Sequence, residues 1–171
     1  MKKIRDVQLA HREIVGNYED SFEDLIKFID TAEYVITQRR DTTYLDEEYR
    51  KTYGVDQYIE DIVIDTLGYA SVKDSIYKDP NEYKNMMYIP NTDKKEFEIY
   101  AGYIEQDDGK KIPVFEVKAS KDVILADQDP DLLMQEKQTQ SVDGVDGNYI
   151  QVGSMNQIKT NGNWPKNFGD N

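Results

Sequence analysis

Two residues of opposite charge, Glu116 and Lys118, stand two apart in a run that alternates apolar and polar side chains. In a β-strand, residues two apart point to the same face, so the carboxylate and the ammonium are expected side by side. With further carboxylates, such a pair can hold a divalent cation and activate water for hydrolysis. The same pair is also common on the solvated face of a strand, and we favour this second interpretation.

The E-x-K spacing resembles the second half of the PD-(D/E)-x-K nuclease motif, in which a hairpin presents an aspartate and then E-x-K to magnesium. The resemblance covers Tyr103 to Lys118 and implies a divergent, metal-dependent nuclease. Asp107 and Asp108 fall in the turn instead of on the first strand, so Glu105 would have to replace the strand aspartate. The nuclease is therefore the third of three functional interpretations.

Other residues with potential chemistry form weaker patterns. The acidic run that starts at Asp127 resembles a calcium-binding loop, but Leu132 and Gln138 stand where an EF-hand needs glycine and glutamate. His11 is the only histidine, and its polar neighbours predict a surface position. The sequence contains no phosphate-binding glycine loop and no nucleophile elbow. We predict no catalytic residue, no metal site and no cofactor.

Charge and composition limit the partners. The formal net charge is −13, which disfavours binding to nucleic-acid phosphates and to anionic membranes. The chain has no cysteine, which excludes disulfides and thiolate metal sites. The N-terminus lacks the apolar core of a signal peptide, and no apolar run approaches the ~18 residues of a membrane span. We expect a soluble protein of the cytoplasm or of a virion.

Apolar residues at spacings of three and four predict helices in the first half of the chain. After a short opening helix, a longer one is expected from the cap Ser21 to Arg40. A short helix should end at Gly54, where glycine favours a helix stop. A further helix is expected from Asp56, and its buried stripe would comprise Tyr58, Ile59, Ile62, Val63 and Leu67.

Alternation after Pro90 predicts strands. The segments 97–103 and 112–119 form a β-hairpin around Asp108-Gly109. A third short strand is expected at 123–126 and a short helix at 130–137. Helices followed by strands indicate the α+β class. The expected divisions are a helical region at residues 1–90, an antiparallel β element at 91–137 and an extended arm at 138–171.

The arm is rich in glycine and asparagine and carries isolated large apolar residues, including the only tryptophan. Such a segment is too polar to build its own core. It can bind a neighbouring chain, which we favour, or fold back on its own domain. The residues predicted to bind a partner are Tyr149, Ile150, Val152, Trp164 and Phe168.

The 13 tyrosines, many of them in the acidic first half, are typical of protein interfaces. We expect a non-enzymatic structural or assembly protein of a homo- or hetero-oligomeric complex, such as the head, neck or connector of a phage virion. Its arm would bind neighbouring protein subunits, without nucleic acid or membrane. The alternatives are an acidic inhibitor or nucleic-acid mimic that binds a basic enzyme, and the divergent nuclease.

Overall fold

A computed structural model describes residues 1–138 and 144–165. These residues form helices and antiparallel sheets, which confirms the α+β class. The chain divides into two compact units. Glu33–Ser71 is one of them, called the hairpin unit below, and the residues before and after it form the other, called the body. In the described part of the chain, no helix has the length and apolar character needed to cross a membrane.

Two helices open the body, α1 (Lys2–Val15) and α2 (Phe22–Thr31). The Asp24 N–H donates to the Ser21 hydroxyl at 3.4 Å, so Ser21 is the predicted N-cap of α2. The helix ends at Thr31 instead of Arg40, because the following residue is already extended.

The hairpin unit contains β1 (Glu33–Leu45), α3 (Glu47–Tyr53) and β2 (Tyr58–Ser71). The strands pair antiparallel from one end to the other, with a register shift next to Ile36. Gly54 ends α3 in the left-handed conformation, φ 70°, which confirms the predicted helix stop. Within the described residues, this sheet has two strands only.

The predicted extension of α2 over residues 33–40 is wrong, because these residues belong to β1. The helix predicted from Asp56 is also wrong, because that segment becomes β2. Both segments contain many β-branched residues, whose stiff side chains favour strands over helices. The region predicted as helical, residues 1–90, therefore contains a long β-hairpin as well.

The chain re-enters the body beside the point at which it left. The Val72 N–H donates to the Ala32 carbonyl at 3.1 Å, and Val72 starts the short helix α4 (Val72–Ile76). A 3₁₀ helix follows at Glu82–Asn85. Its Tyr83 ring is buried, and the Tyr83 hydroxyl donates to the carboxylate of Asp30 in α2.

The body also holds a three-stranded antiparallel sheet with β4 in the middle. Its strands are β3 (Glu98–Glu105), β4 (Lys111–Ser120) and β5 (Tyr149–Gly153). The turn between β3 and β4 contains Gly109 at φ 78°, so the predicted hairpin around Asp108-Gly109 is confirmed.

Two short helices, α5 (Lys121–Ile124) and α6 (Pro130–Glu136), separate β4 from β5. The third strand predicted at 123–126 is wrong, because the Ser120 hydroxyl accepts from the Asp122 N–H at 3.2 Å and starts a helical turn there. The predicted helix at 130–137 is α6, and its N-cap is Asp129.

One hydrophobic core joins the helices and the sheet of the body. Its fully buried side chains include Val7, Leu25, Ile29, Phe115, Val117 and Val152. His11 also lies inside, with 7% exposure, so its predicted surface position is wrong. Its Nδ1 lies 2.7 Å from the Asn17 carbonyl oxygen, and its ring packs edge-on against Phe28 at 4.7 Å. These contacts make burial of a polar ring acceptable.

Candidate protein-binding surface

The hairpin unit has no buried residue, although the structure describes all of it. Many of its large apolar side chains are exposed, namely Val35, Ile36, Tyr44, Tyr49, Tyr53, Val55, Tyr58, Ile62, Ile64, Leu67 and Tyr69. Single exposed apolar residues are normal on a protein surface, whereas a dense set on one element is typical of interaction sites.

The strand register places five of these side chains on one side of the sheet. Directly paired residues share a face, and successive residues alternate between faces. Val35 pairs with Tyr69, while Arg39, Asp41 and Leu45 of β1 stand opposite Ile64, Ile62 and Tyr58 of β2. The side that carries Val35, Tyr58, Ile62, Ile64 and Tyr69 is called the apolar face below. These five residues are between 44% and 67% exposed.

Two opposite charges lie in the middle of the apolar face. Arg39 and Asp41 are two residues apart on β1, next to Ile64 and Ile62 of β2. Arg40 lies between them on the other side of the sheet, where its guanidinium is 3.6 Å from the Asp65 carboxylate. The apolar face therefore contains one cation and one anion at its centre, flanked by apolar residues.

The carboxylate and ammonium of Glu116 and Lys118 do meet on the sheet of the body. The Lys118 ammonium lies 3.3 Å from Glu116 and 3.6 Å from Glu98, and it lies about equally close to the Tyr100 and Tyr149 rings, at 4.9 and 5.0 Å. Burial acts to lower the pKa of Lys118, but Glu116 and Glu98 outweigh it and raise this pKa above its ordinary value. The ammonium thus stays charged and occupies the space between the carboxylates of Glu116 and Glu98.

The carboxylates of the nuclease pattern do not converge. Glu105 pairs with Lys111 at the far end of β3, whereas Glu116 pairs with Tyr100. Five residues of strand separate these positions by roughly 16 Å. Asp108 lies in the turn, where it accepts from the Lys110 N–H at 3.0 Å. Among the described residues, no group of three acidic, histidine or cysteine side chains could hold a metal ion.

The described part of the arm folds back on its own body, the second of the two alternatives. Val152 is fully buried opposite Val117 of β4, and Ile150 stands opposite Ala119. Trp164 is 8% exposed. Phe168 lies outside the described residues.

The side chain of Asn163 and the glycine at position 162 fit the end of the arm to the body. Asn163 accepts from the Gln151 N–H at 2.9 Å and donates to the Tyr149 carbonyl at 2.8 Å, which pins the end of the arm along β5. The Trp164 ring lies against Gly162, where a Cβ would come within 2.4 Å of the ring. The polar composition of the arm thus serves local hydrogen bonding within the body.

Comparison with protein-family models, with curated proteins and with solved structures found no match to this chain. The candidate surface consequently depends on the geometry described above.

The sequence analysis missed this surface because the apolar residues of β2 also fit a helical spacing. The signal that could have found it is the density of β-branched residues between Ile59 and Thr66, which favours a strand.

Proposed function

We propose that this protein is a non-enzymatic assembly subunit, which binds protein partners in a multi-subunit complex through its hairpin unit. The observation that carries the proposal is the apolar face, five large side chains presented to solvent by a sheet without a buried residue. A monomer that worked alone would gain nothing from this exposure, whereas a subunit buries it on assembly.

Energetics support the same conclusion. An isolated two-stranded sheet is marginally stable in water, and it usually needs a third strand or a packed face. Full burial of an isoleucine side chain contributes roughly 1.5–3 kcal/mol. Contact of the apolar face with a partner would therefore stabilise the hairpin unit and the complex together.

The hairpin unit replaces the arm as the proposed contact. Val152 and Trp164, two of the residues predicted to bind a partner, contribute to the core of the body. A contact through them would require the arm to leave its own sheet. Placement of the protein in a phage virion stays a prediction from its general character.

A deletion variant tests the proposal. Replacing Glu33–Ser71 by two glycines should leave the body folded, because Ala32 and Val72 are already joined by a hydrogen bond. The native mass is then measured in extracts of the cells that naturally make the protein. We expect the full chain in a larger particle and the variant as a free monomer with the same cooperative unfolding of the body. A folded variant that stays in the particle would disprove the proposal.

A second candidate is an acidic inhibitor of a basic protein. The hairpin unit has nine acidic residues against four basic ones. Its exposed tyrosines, Tyr44, Tyr49, Tyr53, Tyr58 and Tyr69, could contact such a partner beside the carboxylates. Binding of this kind should weaken steeply as the salt concentration rises, because the attraction is between opposite charges.

A further inference from the structure

We propose that the apolar face packs against the apolar face of a second copy of this chain, related by a two-fold axis at the level of Arg40. The inference rests on the proposed assembly function and names the partner of the same surface. It requires a face that is complementary to itself when the strand direction is reversed.

The residues of the apolar face meet this requirement. Consider a two-fold axis that lies between two stacked sheets and runs perpendicular to the strands at the level of Arg40. This axis places each residue of β1 over the partner residue that is equally far from Arg40 in the opposite direction along the strand. Arg39 of one copy then lies over Asp41 of its partner, and Asp41 over Arg39. Both central charges thereby meet an opposite charge.

The apolar pairs match in the same way. Ile62 stands beside Asp41, and Ile64 stands beside Arg39, so the axis brings Ile62 of one copy over Ile64 of the other. At the two ends of the face, Tyr58 lies over Tyr69 and Leu45 over Val35. The threonines at 37 and 43 superpose between these layers. Polar residues therefore meet polar ones and apolar residues meet apolar ones along the whole strand.

The amount of surface suits a dimer. Five side chains that are 44% to 67% exposed present on the order of 400–500 Å² of mostly apolar surface. A standard interface removes ~800 Å² from each partner, with an apolar centre and a polar rim. The apolar face can supply that centre, and the threonines with Glu60 can supply the rim.

Threonine substitutions on the two sides of β2 test the face. Ile62→Thr with Ile64→Thr removes apolar surface but keeps β-branched side chains, and Val63→Thr is the matched control on the opposite side. Light scattering on the purified full chain should give twice the monomer mass of 19.9 kDa for wild type and for the control. The double variant should weaken the dimer by more than ~100-fold in Kd.

Charge reversal tests the axis. Arg39→Asp alone places a second carboxylate over that of Asp41 in both contacts and should give a monomer. Arg39→Asp with Asp41→Arg restores opposite charges and should restore the dimer.

A dimer that persists in Arg39→Asp and in Ile62→Thr with Ile64→Thr would overturn this face. A wild-type chain that stays monomeric at about 0.1 mM would overturn the second copy as partner. If the hairpin deletion still frees that chain from its native particle, the assembly function survives with a different partner.

Discussion

Gly153, at the end of β5, shows how tightly the arm is fitted to the body. Its backbone is left-handed, φ 75°, and a Cβ at this position would lie 2.2 Å from the carbonyl oxygen of Phe115. A side chain would therefore meet both backbone strain and a collision with the middle strand. A side chain at this position would thus weaken the pairing of β5 with β4.

Gly153→Ala is expected to destabilise the protein by at least about 3 kcal/mol, because the collision adds to the strain of a positive φ. Gly109→Ala is the matched control, since Gly109 has φ 78° but an added Cβ would meet no atom within 4 Å. This control should cost about 1 kcal/mol. Urea unfolding measures both changes, and equal losses would show that the arm is not docked as described.

Because Tyr77 is buried, we expect the folded protein to lose stability at alkaline pH. Burial, aided by Glu82 and Asp6, raises the pKa of Tyr77, while tyrosine in the unfolded chain ionises at about 10. Above pH 10 the unfolded state thus releases a proton that the folded state retains, so stability falls as the pH rises.

Tyr77→Phe should remove this part of the pH dependence, which amounts to at most about 1.4 kcal/mol for each pH unit above 10. The measurement is urea unfolding between pH 9 and 12. The exposed Tyr103→Phe is the control and should leave the slope unchanged. An unchanged slope in Tyr77→Phe would contradict the buried position of this ring.

At the scale of elements, the hairpin unit should be the least protected part of the folded chain. A two-stranded sheet without a buried residue opens easily, whereas β4 lies between two partners in the core of the body. Hydrogen exchange at two protein concentrations should show amides of β1 and β2 becoming slower as the dimer forms. Amides of β3 and β4 should be unchanged. Exchange in the hairpin unit that is independent of concentration would contradict its burial in a dimer.

The sequence correctly predicted the elements that have a local chemical signature or a periodic spacing of buried side chains. The cap Ser21, the stop at Gly54 and the turn at Gly109 were all found, because each has a local chemical signature. The hairpin β3–β4 was found because one side of it faces a core. Period and burial agree in α2 and in the hairpin β3–β4, so their residues report the structure directly.

The two strands of the hairpin unit escaped prediction because neither has a buried residue, so no periodic burial marks them in the sequence. Ile36 happens to follow Ala32 by four residues, which extended the pattern of α2 beyond its end at Thr31. Ile59, Ile62 and Val63 fit a helix as well as a strand. The β-branched content of this run favours a strand, but the apolar spacing that fits a helix competes with it. The pairing with β1 that decides between the two is long-range and cannot be seen in a local window. The candidate surface was missed for the same reason.

At the scale of the whole molecule, the net charge of −13 opposes association of two copies. Because salt screens this repulsion and leaves apolar contact intact, the dimer should tighten as sodium chloride is raised from about 0.05 to 0.5 M. Sedimentation equilibrium measures the effect. A dimer that dissociates in high salt would indicate that opposite charges, and not the apolar face, hold the copies together.

The most direct test mixes two single variants, Arg39→Asp and Asp41→Arg. Each variant alone places like charges over each other at the two-fold axis, so each should be monomeric. In the mixture, both carboxylates of one copy face both guanidinium groups of the other, and native mass spectrometry should show a one-to-one heterodimer. Two variants that stay monomeric after mixing, or that each dimerise alone as well as wild type does, would contradict the two-fold contact of the apolar face.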